Sequence, residues 1–117
     1  SLMPLLRQRG GVEREAIYWH YPHYHHGPPA SAIRKGDWKL IEFYGREDDR
    51  VVTRCELYNL REDIGETRDR AADRPDLVED LRNNLADWRW RMRARLPRAN
   101  PDYDPDRAGE WVPHPCP

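Results

Sequence analysis

Two runs of strand-forming residues, Ser31-Ala32-Ile33-Arg34 and Trp38-Lys39-Leu40-Ile41-Glu42-Phe43-Tyr44, stand on either side of Lys35-Gly36-Asp37. Glycine reaches positive φ without steric cost, so a break this short folds the chain back on itself as an antiparallel hairpin. Side chains alternate between the faces of a strand. Lys39, Ile41 and Phe43 therefore share one face of the second run, and Trp38, Leu40, Glu42 and Tyr44 share the other. Both faces carry apolar groups, which predicts a central strand. The charged segment Gly45 to Arg50 reads as the next turn, and Val51 to Tyr58 as a third strand of the meander. Upstream, Ile17-Tyr18-Trp19-His20-Tyr21 is a further strand-like run that stops at Pro22. A loop from His23 to Pro29 follows, broken by Gly27-Pro28-Pro29.

Pro75 opens the clearest helix. Leu77, Leu81, Leu85, Trp88 and Met92 advance by steps of four, four, three and four, one apolar stripe of a helix, and all five are expected in the core. Proline in the first turn, Asp73 and Asp76 near the start, and Arg89, Arg91, Arg93 and Arg95 toward the end suit the helix dipole. Those arginines read as a solvated face. Pro97 ends the helix, which is expected to reach about Arg95. The fold class is thus α+β: a small antiparallel sheet of three or four strands, one long C-terminal helix packed on it, then an irregular arm through Asn100-Pro101-Asp102-Tyr103-Asp104-Pro105. Residues 1–14 read as a linker or cloning remnant, 15–105 as the folded subdomain and 106–117 as an irregular tail.

Composition limits what that fold can rest on. With 35% charged residues, 38% hydrophobic ones and a mean hydropathy of −1.08, the chain approaches the polarity at which ordering is no longer repaid by burial. Five Trp, six Tyr and one Phe argue for order all the same, through large apolar area per residue. The expectation is a thin, aromatic-rich core that leans on something larger. Twenty Lys and Arg against 21 Asp and Glu leave a net charge of −1, which creates no field to draw a nucleic acid. No run of about 18 apolar residues suggests a membrane span. Cys55 and Cys116 have no short spacing, and whether they pair is left open.

His20, His23, His25 and His26 lie close together, interleaved with Tyr18, Tyr21 and Tyr24. Imidazoles at this density suit zinc, but a structural zinc site needs four ligands in paired spacing, and no second pair follows. The same groups suit an anion or a sugar, imidazole as hydrogen-bond donor and tyrosine as stacking surface. A solvated loop with a few packed histidines is the plain alternative. Arg34, Lys35 and Lys39 form a basic point amid Asp37 and Glu42, which reads first as a balanced strand surface. No serine elbow, H-E-x-x-H motif, phosphate loop or dinucleotide turn is visible, so no catalytic or metal-ligating residue is assigned.

Three blocks occur in order: Tyr18-Trp19-His20-Tyr21-Pro22-His23-Tyr24, then Ser31-Ala32-Ile33-Arg34-Lys35-Gly36-Asp37-Trp38-Lys39-Leu40-Ile41, then Glu56-Leu57-Tyr58-Asn59-Leu60 running into Asp63-Ile64-Gly65-Glu66. Over roughly Glu15 to Pro105 this resembles the end of bacterial type I, formylglycine-dependent sulfatases of the arylsulfatase type. Ile64 stands where that family commonly has proline. The resemblance implies a parent enzyme that hydrolyses sulfate esters of a small molecule or a glycan. It also implies an upstream catalytic domain as partner, a formylglycine made from a Cys-x-Pro/Ala-x-Arg cysteine, a calcium ion, and a periplasmic or secreted location. Cys55 precedes Glu56-Leu57-Tyr58-Asn59 and Cys116 precedes the final proline, so neither fits that motif, and this fragment is expected to be inactive alone. His20, His23 and His25 are its expected substrate-binding residues, on a loop at the pocket rim. The alternative is a stand-alone module that binds carbohydrate or protein through the same His/Tyr loop.

Overall fold

A computed structural model describes residues 3–8, 14–23, 27–47, 50–98, 101, 102, 104 and 106. The elements are α1 (Met3–Leu6), β1 (Ala16–Tyr21), β2 (Ala30–Lys35), β3 (Trp38–Glu47), β4 (Arg50–Asn59) and α2 (Pro75–Arg91). The four strands form one antiparallel sheet in the order β1-β2-β3-β4, so the fold is α+β as expected and β3 is a central strand. Lys35 pairs with Trp38, which narrows the hairpin turn to Gly36 and Asp37. Gly36 has φ +60 and Asp37 does not lie at positive φ, the type II′ pattern with glycine at its first central position.

The turn expected over Gly45 to Arg50 is shorter. The ladder continues through Gly45–Val52, Arg46–Val51 and Glu47–Arg50, because pairing needs backbone groups alone and the charge of the side chains does not interrupt it. Residues 1–14, read as a linker, include the one-turn helix α1. The Asn100 to Pro105 arm and the tail fall largely outside the described residues.

α2 lies over β2 and β3. Its stripe meets the alternate residues of the sheet to form a core of Ile33, Leu40, Leu57, Leu81 and Leu85, with Tyr18, Trp38, Leu77, Val78 and Trp88 packed around it. Tyr18 stacks face to face on Trp88 at 4.9 Å. Each fully buried leucine contributes roughly 1.5–3 kcal/mol relative to exposure. Met92 does not join the core. It is 62% exposed, because the helix ends at Arg91. Arg93 takes φ +51, and the amides of Arg93 and Ala94 bond back to Trp90 and Arg89, which turns the chain off the helix axis before Arg95.

The segment between β4 and α2 closes one sheet edge. Asp69 accepts the Leu57 amide at 2.9 Å, and the Arg70 amide donates to the Leu57 carbonyl at 2.7 Å, so β4 exposes no free ladder there. Asp63 holds the preceding turn by accepting the amides of Thr67 and Arg68 at 2.8 Å each. The Arg68 amide is the main reason its carboxyl lies below the ordinary range, helped by Thr67. Lys39 reaches across to Glu66 at 2.7 Å.

Candidate functional site

The cross-strand register places His20 opposite Ser31, Ser31 opposite Glu42, and Glu42 opposite Cys55. This row crosses the sheet face beneath α2, where its neighbours are apolar. Ser31 and Glu42 are nearly sealed from solvent, at 1% and 3% exposure. A carboxylate at that depth needs compensation. Arg89 descends from α2 to bond it, Arg82 approaches the other oxygen at 3.3 Å, and Arg82 also donates to Thr53 at 3.2 Å. The helix arginines are therefore not uniformly a solvated face. The Arg89 side chain is 14% exposed, because the buried carboxylate below it requires a cation. Burial alone would lower the Arg89 pKa, but the hydrogen bond and charge of Glu42, with help from Tyr44, reverse that and raise it.

A chain of hydrogen bonds leaves this pair. Arg89 donates to the Tyr44 hydroxyl at 2.5 Å, Tyr44 and Ser31 share a bond of 2.5 Å, Ser31 meets His20 Nδ1 at 2.6 Å, and His20 Nε2 meets the Arg95 carbonyl at 2.8 Å. A carbonyl only accepts, so Nε2 is the donor. In the neutral ring Nδ1 then accepts from Ser31, Ser31 accepts from Tyr44, and every bond runs in one direction. Among the described residues no buried side-chain nitrogen or oxygen lacks a partner. The network ties β1, β2, β3, α2 and the segment after α2 into one unit.

The three histidines assigned to substrate lie differently. His20 is on the α2 side with both ring nitrogens engaged inside the chain. His23 is exposed and sits edge-on to Tyr21 at 5.6 Å, and Tyr21 belongs to the opposite face by alternation. The structure separates these two. His25 lies outside the described residues, with Tyr24 and His26. A cleft of about 530 Å³ opens beside α2 over Glu42, between Val78, Arg82 and Ala86, and neither His20 nor His23 lines it. Cys55 is a free, half-buried thiol whose pKa is pushed up by that burial; Cys116 lies outside the described residues.

Among the described residues no three His, Cys, Asp or Glu side chains converge to hold a metal ion. Arg34, Lys35 and Lys39 behave as a balanced surface in part: Lys35 faces Glu15 at 3.3 Å and Lys39 faces Glu66. Sequence reasoning missed the Glu42–Arg89–Tyr44–Ser31 network. Its signal was available: Glu42 is a lone acid between Leu40 and Tyr44 on one strand face, and a misplaced polar residue in an apolar row asks for a buried partner.

No family model matches the sequence. A curated relative, a sulfatase of Formosa agariphila, is 34% identical over 99 residues, a match that covers 75% of this chain. The chain spans only 17% of that relative's length. The identity and the share of this chain matched support a sulfatase-related domain.

Proposed function

We propose that this chain is the C-terminal subdomain of a formylglycine-dependent sulfatase of the arylsulfatase type, and that it completes the enzyme's fold and lines the rim of its substrate pocket. The observation that carries the reading is the likeness to a sulfatase across most of the chain. It is supported by where the three sequence blocks fall: one on β1, one on the β2–β3 hairpin, and one on the end of β4 with the Asp63 turn that follows it. Residues 15–105 form this subdomain in the proposal, and its partner is the N-terminal catalytic domain of the parent.

Cleavage of a sulfate ester belongs to that upstream domain. The formylglycine and calcium expected of the parent are assigned to that domain; Cys55 sits in Cys-Glu-Leu-Tyr-Asn, outside the Cys-x-Pro/Ala-x-Arg motif. The contribution assigned to this chain is binding. His23 and His25 belong to a loop that leaves β1 at Pro22 and returns at Ala30, and His20 roots its stem through Ser31 and Arg95. Imidazoles in such a loop donate hydrogen bonds to a sulfate group on a small molecule or a glycan.

The test is the full reading frame. The parent is expected to carry Cys-x-Pro/Ala-x-Arg upstream, to convert that cysteine to formylglycine as read by mass spectrometry, and to turn over an aryl sulfate. A reading frame that starts just before this segment, with no such motif, would falsify the assignment and favour a stand-alone binding module.

A further inference from the structure

The charges of the chain balance overall, but they are not evenly spread. Residues 88–101 hold five arginines and no acid, between Asp87 and Asp102. Arg89 alone of the five turns inward, to Glu42. Arg91, Arg93, Arg95 and Arg98 are exposed, and none of them forms an ion pair among the described residues. Exposed arginines elsewhere in the fold differ: Arg54, Arg61, Arg70 and Arg74 each face an acid. Trp90 stands among the free cations, 82% exposed on the outer side of α2.

Backbone bonds fix this segment. The Arg93 amide donates to the Trp90 carbonyl at 3.1 Å, the Ala94 amide to the Arg89 carbonyl at 2.9 Å, and the Arg95 carbonyl accepts from His20 Nε2 at 2.8 Å. The span from Arg93 to Arg95 is thus tied to α2 at one end and to β1 at the other. Arg93 also sits at φ +51, where glycine would escape the steric cost that an arginine bears. A side chain carried at a backbone position that disfavours it points to a use for that side chain.

Guanidinium forks bind sulfate through paired hydrogen bonds, and an exposed indole offers a flat apolar face to a pyranose ring. The two together suit a sulfated sugar chain. A lipid surface fits less well, although Met92 and Leu96 are exposed nearby. The outer side of α2 also carries exposed Glu79, Asp80 and Asp87, which an anionic bilayer would repel. The basic patch is confined to the last turn of α2 and the few residues after it, a width that suits a polymer strand.

We infer that Trp90, Arg93 and Arg95 form a binding site for a sulfated polysaccharide, in addition to the sulfate contact assigned to His23 and His25. The inference rests on the proposed function in one respect, the sulfate ester as the anion. Arg95 is bonded to His20, two residues before the Pro22 at which the histidine loop leaves β1. The site therefore lies at the same end of the sheet as that loop, and it holds one stretch of a polymer while another stretch meets the loop.

Titration of dextran sulfate into this chain, at about 0.15 M salt, tests the site. Arg95→Gln keeps the backbone carbonyl that His20 holds, and Arg93→Gly relieves its own backbone, so both are expected to fold. Arg61→Gln, at an arginine whose side chain is 80% exposed beside Asp37 at the far end of the sheet, is the charge-matched control. Each patch variant is expected to weaken binding by on the order of three- to tenfold and to lower the salt dependence by about one counter-ion, and the control to change it by less than about twofold. Trp90→Ala is expected to weaken binding of dextran sulfate and to spare poly(vinyl sulfate), which has no ring to stack on. Absence of binding by the unaltered chain, or patch variants no weaker than Arg61→Gln, overturns the inference. So does a Trp90→Ala chain that loses phosphatidylglycerol vesicles while holding dextran sulfate as before, which assigns the patch to a membrane. Aryl sulfate turnover by the parent separates the two claims. An inactive parent with patch-dependent binding keeps the site and rejects the enzyme reading; an active parent whose affinity for dextran sulfate ignores the patch does the reverse.

Discussion

Glu42 has Leu40 and Tyr44 on its own face of β3, both buried, and it is stable there because Arg89 and Arg82 meet it from α2. Glu42→Gln leaves Arg89 charged beneath the helix with no counter-ion. The loss is expected near 3 kcal/mol, the low end for a broken buried pair, since the Arg82 side chain is 46% exposed. Urea unfolding measures it, and a change within about 0.5 kcal/mol would show the pair to be incidental. The histidines separate by role. His20→Ala removes two hydrogen bonds that join β1 to the chain after α2, so the melting temperature should fall while kcat/KM of the folded parent stays unchanged. His23→Ala should do the opposite: an unchanged melting temperature and a loss of about 1–3 kcal/mol in transition-state stabilisation, the scale of a hydrogen bond to a charged group. Kinetics untouched by His23→Ala would remove it from the substrate rim.

At the scale of elements, α2 stops where a non-glycine residue is held at positive φ. Arg93, at φ +51, occupies the place glycine usually takes after a helix. Arg93→Gly should therefore stabilise the fold by up to about 1 kcal/mol, read as a higher melting temperature. A fall instead would mean that the Arg93 side chain contributes more than its backbone costs. β4 sets a different dependence. Burial, and then the hydrogen bond it donates to Glu56, push the Tyr58 pKa up to about 12. Folding thus favours the protonated phenol. Its contribution is complete below the ordinary tyrosine value near 10 and is lost as pH rises through about 12. Stability should fall along that alkaline limb, and Tyr58→Phe should flatten the fall. Unfolding curves at pH 9, 10 and 11, taken with and without the substitution, check the sign.

For the whole molecule, one helix on one face of a four-stranded sheet buries a core of four leucines and Ile33 among the described residues. Other large apolar side chains stay about half exposed, as at Trp19 and Tyr21. The Arg95–His20–Ser31–Tyr44–Arg89–Glu42 chain adds polar ties between three strands and α2 to that core. This chain purified alone should show no turnover of an aryl sulfate above a mock preparation, at any pH. Turnover by the pure chain would mean that the catalytic residues lie within it.

The periodic parts of this fold were legible in one dimension. Gly36 marked the hairpin, alternation over residues 38–44 marked the central strand, and the Leu77–Leu81–Leu85 stripe marked α2, because each depends on neighbours a few positions away. Three blocks in order also pointed to the sulfatase family before any coordinate did. What residues distant in sequence do to one another stayed hidden. Arg89 reads as helix-end charge until packing sets it over Glu42, 47 positions earlier, and Met92 reads as core until the helix ends one residue before it. His20 and His23 read as one cluster, yet strand alternation and the break at Pro22 send them to opposite faces of the sheet. A buried charge, a helix end and a strand face are settled by which surfaces meet, and that is decided only when the whole sheet and its helix have closed on one another.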